Sequence, residues 1–86
     1  MYRIDVDDEV HDQVAALPAA LIPHFLYLLD VLELVPWNSE PYNDAKPDGS
    51  MRTLVFGPPE LPAQVVFLIV EDLQRVDLLR VTWPES

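Results

Sequence analysis

The sequence carries few of the side-chain combinations that catalysis uses. Its two histidines, His11 and His24, have Ala15 and Leu28 at i+4 rather than a second ligand, so no zinc site is expected. The only serines are Ser39, Ser50 and Ser86, and neither histidine is placed to activate one of them. With two glycines, Gly49 and Gly57, there is no phosphate-cradling loop, and with no cysteine there is no thiolate chemistry or disulfide framework. Neither a cofactor nor a metal is expected. What remains is charge. Arg52 heads the run Met51-Arg52-Thr53-Leu54-Val55-Phe56 and shares a face with Leu54 and Phe56. It can serve as a phosphate ligand on the open part of a sheet, or pair with one of fifteen acids. The excess of acid favours the ion pair, and the same holds for Arg80.

These side chains are positioned by the stretch from Met51 to Trp83. Val65-Val66-Phe67-Leu68-Ile69-Val70 is apolar at every position, which predicts a central strand covered on both faces. Met51 to Phe56 before it and Arg75 to Trp83 after it complete three antiparallel strands. Gly57-Pro58-Pro59 closes the first, and Glu71-Asp72-Leu73-Gln74 forms the second turn. Upstream, Tyr2-Arg3-Ile4-Asp5-Val6 alternates as a half-buried strand with Tyr2, Ile4 and Val6 inward. A first helix is expected from about Asp8 to Leu17, with Val10, Val14 and Leu17 as its apolar stripe. Asp7, Asp8 and Glu9 suit its N-terminus as cap and dipole partners better than they suit a metal.

A second helix is expected from about Ala19 to Val35, with Leu21, Ile22, Phe25, Leu28, Leu29, Leu32 and Val35 as its core face. Pro23 is tolerated there only in the first turn. Pro36 stops this helix and opens a long loop to Ser50, in which Lys46-Pro47-Asp48-Gly49 is a turn signal. Trp37 and Tyr42 in that loop can stack on a base or a partner, or pin the loop to the domain, and pinning is favoured. Pro84-Glu85-Ser86 is a short polar tail. The 86 residues are read as one α+β domain: a strand, a helical hairpin and an antiparallel meander.

The charge is −10, from fifteen acids against five bases. Such a surface repels nucleic acid and anionic membranes and suits solubility or a basic protein partner. Residues 1–50 hold ten acids against Arg3 and Lys46, whereas residues 51–86 hold five acids against Arg52, Arg75 and Arg80. The most apolar stretch, Ala15 to Val35, is interrupted by Pro18, Pro23, His24, Asp30 and Glu33, so no membrane span is expected. No signal peptide is expected, and the lack of cysteine fits a cytoplasmic protein.

Strand, two helices, long loop and three antiparallel strands, spelled with Lys46-Pro47-Asp48-Gly49, Met51-Arg52, Phe56-Gly57, Val65-Val66-Phe67-Leu68-Ile69, Val76-Asp77, Val81 and Trp83, resembles the RelE/ParE toxin superfamily. The Leu17-Pro18 break and the Leu32 to Pro36 helix end are similar too, so the resemblance covers nearly the whole chain. It implies a β-α-α-β-β-β toxin of a toxin–antitoxin pair. RelE-like members cleave mRNA in the ribosomal A site, ParE-like members act on DNA gyrase, and an antitoxin segment wraps the helices and sheet. On that resemblance Arg52, Lys46 and Arg80 are the candidate catalytic cations.

The chain departs from the RelE pattern in being acidic, in carrying Gln64 where many members have Arg, and in ending Thr82-Trp83-Pro84-Glu85-Ser86. Phosphoryl cleavage needs charge at the phosphate and groups that move protons. The expectation is therefore a toxin-family protein with mRNA-cleaving activity weak or lost, partnered by an antitoxin-like or other basic protein, with ribosome and mRNA disfavoured by charge. The alternative is a non-catalytic interaction module or homodimer that uses the exposed sheet face and edge. A surviving RNA site requires Arg52, Arg80 and Lys46 in one concave patch. Pairing of each with a carboxylate would remove it.

Overall fold

The computed structural model describes residues 1–85. Of the expected polar tail, Ser86 lies outside the described residues. The first strand, β1 (Arg3–Val6), runs into Asp7, whose carboxylate accepts the Val10 N–H at 2.9 Å and starts helix α1 (Asp8–Ala15). Asp8 and Glu9 in its first turn complement the positive end of the helix dipole. Ala19–Leu21 forms one 3-10 turn, and α2 (Ile22–Leu34) follows with Pro23 in its first turn, where the missing N–H leaves no bond unmade. The chain turns through 107° between the two helices, so they splay across the sheet rather than run antiparallel.

The segment after α2, where the sequence predicts only loop, contains a two-residue strand, β2 (Glu40–Pro41). Strands β3 (Met51–Phe56), β4 (Ala63–Val70) and β5 (Arg75–Thr82) form the expected meander. The strand order is β1-β5-β4-β3-β2. Strand β1 pairs with β5 in parallel, Ile4 opposite Val76 and Val6 opposite Leu78, so the sheet is mixed rather than wholly antiparallel. The two helices and strands β2, β3 and β4 lie between β1 and β5 in sequence, which leaves room for a parallel return.

One face of the sheet is covered. Val65, Phe67 and Ile69 of β4, with Phe56, Val76, Leu78 and Val81, pack against Val10, Leu17, Leu21, Phe25, Leu28 and Leu32. Phe67 is fully buried and contributes roughly 3 kcal/mol from its burial alone. Gly57 ends β3 at φ +95°, and a Cβ there would lie 2.6 Å from Leu21 Cδ2 and 2.8 Å from Leu61 O. That backbone conformation and that close approach together require glycine.

The other face carries no helix. Val66, on that face, is nevertheless only 5% exposed. It sits in the register row of Thr53 and Arg80, neighbours that shield it from solvent. The unbroken apolar run of β4 therefore reflects one packed face and one face shielded by adjacent strands, not two covering layers. Beyond Leu78, β5 has no β1 partner, and the Gln13 side chain fills the gap by accepting the Val81 N–H at 2.7 Å.

Candidate functional site

The register separates the three candidate cations. Arg52 opposes Phe67 on the helix-covered face of β3, while Arg80 opposes Val66 on the open face of β5. Lys46 is exposed in the loop, near Tyr42, Asn43, Asp44 and Met51 around a shallow hollow. A phosphate cannot be gripped by Arg52 and Arg80 together, because the sheet lies between their side chains. The single concave cationic patch that an RNA site requires is not formed by these three residues.

Arg52 is 6% exposed. Its Nε donates to Ser39 Oγ at 2.9 Å, Nη2 donates to the Ser39 carbonyl, and Nη1 donates to the carbonyls of Pro47 (3.1 Å) and Gly49 (3.2 Å). Ser39 Oγ passes the chain on to the Pro36 carbonyl at 2.7 Å. The guanidinium carbon lies 5.4 Å from the centre of the Trp37 ring, within cation–π range. One planar fork thus closes both ends of the loop onto the sheet, a task Lys, with one ammonium, cannot perform. The expected carboxylate partner is absent: Arg52 binds backbone carbonyls, which a count of acidic residues does not register. Among the described residues the only ion pair is Arg75–Asp77, at 2.7 Å.

Trp37 is pinned a second way. Its Nε1 donates to Glu71 Oε2 at 3.2 Å, and the Tyr2 hydroxyl donates to the same oxygen at 2.6 Å. The Tyr2 hydrogen bond, then that of Trp37, holds the Glu71 carboxyl below its ordinary range. The same bond raises the Tyr2 phenol above its own. Chain start, loop and β4–β5 turn are tied at one carboxylate. Sequence reasoning missed Glu71, having read it as turn polarity, and nothing local marks it. Tyr42 has no such tie among the hydrogen bonds of the described residues and is exposed.

Two surfaces are left for partners. The open sheet face exposes Met51 and Val55 on β3, with Gln64, Arg75, Asp77, Arg80 and Thr82 along the same side. On the helical side, α2 buries Phe25, Leu28 and Leu32 but leaves apolar residues exposed along both flanks. Ile22 and Val35, expected in the core, are exposed. One flank borders β3 in a groove lined by His24, Tyr27, Leu28, Val31 and Leu54 to Gly57. The other borders β1 and α1 in a groove of about 330 Å³ lined by Ile4, Val6, His11, Val14, Phe25 and Leu29. Among the described residues no three His, Asp or Glu side chains are grouped to hold a metal ion, and no single helix is long and apolar enough to cross a membrane.

Two splayed helices on one face of a five-stranded mixed sheet define a RelE-like toxin fold. A chain of the intact E. coli RelBE toxin–antitoxin complex superposes over 100% of this chain and 100% of its own length, with a TM-score of 0.78 at 11% identity. The isolated E. coli RelE toxin gives a TM-score of 0.75 at 14% identity, over 100% of this chain and 87% of that one. The archaeal RelE–RelB complex of Pyrococcus horikoshii gives 0.60 at 19% identity, over 94% and 92%. No protein-family model and no curated protein matches the sequence.

Proposed function

We propose that this chain is a RelE-like toxin-family protein of a toxin–antitoxin pair that works by binding a protein partner, with mRNA-cleaving activity weak or lost. The observation that carries this is the burial of Arg52, whose donors are committed to Ser39, Pro47 and Gly49. Of the candidate cations, Lys46 and Arg80 remain accessible. Lys46 shares its hollow with Tyr42 and Asp44, groups that can move protons, but among the described residues no second cation lines that hollow to hold the phosphate. The partner side is supported by likeness: two structures with this fold are RelE held in complex with RelB. A compartment without disulfide chemistry, the cytoplasm, suits a chain with no cysteine. The competing function, self-association through the open sheet face, draws on the exposed Met51, Val55 and Leu79.

The test is induced expression of the chain alone in a bacterial host, following growth and translation, beside Lys46→Ala and Arg80→Ala variants. Unimpaired growth with soluble protein is the expected result. Translation arrest relieved by Arg80→Ala would overturn the loss of activity. Arg52→Ala is a poor control, because it releases the loop.

A further inference from the structure

We infer that the groove bounded by β1, α1 and α2 is the docking site for a basic amphipathic helix of a second protein. The inference rests on the reading of this chain as a binding protein and assigns the surface and the chemistry of what binds. The floor of the groove is apolar: Ile4, Val6, Val14, Phe25 and Leu29, with His11 at the rim. Its wall continues outward through α2, where Ile22 is 46% and Leu26 57% exposed. On a helix, Ile22, Leu26 and Leu29 lie on one flank, so the strip is continuous with the floor.

Charge selects the occupant. From Ile4 to Ala45 the chain has no Lys or Arg. The two helices carry Asp8, Glu9, Asp12, Asp30 and Glu33 and no Lys or Arg, a net of −5. Asp7 and Asp8 lie one helical turn before His11, which lines the groove, and Asp30 and Glu33 follow the apolar strip on α2. A helix with one apolar stripe and basic residues on both flanks of it meets acids on each side. Nucleic acid and anionic lipid are repelled. A second copy of this chain brings equally acidic helices, so it is disfavoured as the occupant. The groove on the opposite flank of α2, beside Tyr27 and Val31, provides an internal control.

The test uses the full chain, labelled for amide NMR, and two synthetic helical peptides of about five turns each, one built from Leu, Ala and Lys and the other with Glu in place of every Lys. The basic peptide is expected to shift amides of residues 4–14 and 22–33 and to lose affinity as salt rises. Leu26→Lys and Asp30→Lys, both at exposed positions, are each expected to weaken binding by about tenfold. Tyr27→Ala should leave it unchanged. Equal binding of both peptides, no binding of the basic one, or shifts confined to β3 and β4 would overturn the docking site. Such failure with normal growth on expression leaves the binding role standing, whereas translation arrest on expression overturns that role itself.

Discussion

Arg52 and Arg80 lie on two faces of one sheet, and the faces treat the same side chain in opposite ways. On the covered face the guanidinium is enclosed by a loop whose carbonyls it binds, so charge is used to fold. On the open face Arg80, opposite Val66, makes no ion pair among the described residues and is exposed to solvent. The helices show the same contrast in reverse: all their charge is acidic, while Arg3, Arg75 and Arg80 are three of the chain's five bases and all sit on β1 and β5. Residue type alone does not say whether a cation is structural or available. The face on which its strand register puts it does.

The sharpest break of this comparison is Arg52→Ala. Loss of a buried, multiply bonded cation is expected to destabilise by about 3 kcal/mol, read as a fall in chemical-denaturation midpoint at unchanged slope. Arg52→Lys keeps the charge without the fork and should recover only part of that, roughly 1 kcal/mol. Gly57→Ala comes next, at about 2 kcal/mol, because a positive φ and a contact with Leu21 cannot both be accommodated. Asp7→Ala, which removes the α1 cap, should cost about 1 kcal/mol. Arg80→Ala, the open-face counterpart of Arg52→Ala, should stay within about 0.5 kcal/mol. A large loss there would mean that the two faces are not distinct.

Glu71 gives a pH test of the loop anchorage. Its folded pKa is depressed, so the stability it contributes is present above its ordinary value of 4.5 and is lost as pH falls through the folded pKa. The Tyr2 pKa is raised above 10.0, so its share is present below that value and is lost as pH rises through the folded one. The anchorage therefore holds between the lowered Glu71 pKa and the raised Tyr2 pKa. Tyr2→Phe should flatten the acid limb of a stability–pH profile, and an unchanged limb would remove Glu71 from the anchorage.

Much of the fold is legible from local chemistry. Pro23 marks the start of α2, and Gly57-Pro58-Pro59 marks the end of β3. The β-branched run of β4 sets the centre of the sheet, and the α+β class follows from the order of elements. The parallel pairing of β1 with β5 leaves no local mark, since it joins the two ends of the chain. Strand β2 is two residues long and forms only because β3 offers an edge at Arg52 and Thr53. The candidate site was less legible. A residue census shows that Arg52 is a rare base among many acids, and from that it expects a carboxylate partner. It cannot show that the loop turns back to present the carbonyls of Ser39, Pro47 and Gly49. Ile22 and Val35 read as core positions in the sequence because α2 is apolar nearly all round, which obscures its buried stripe.

Lost mRNA cleavage is tested most plainly by an assay on purified ribosomes paused on a defined mRNA, with this chain added beside an Arg80→Ala variant. With Arg52 enclosed and, among the described residues, no second cation beside Lys46 in its hollow, mRNA is expected to stay intact at the ribosome-only background for both proteins. Codon-specific cleavage by the unmodified chain, abolished by Arg80→Ala, would contradict this expectation and place working chemistry on the open face.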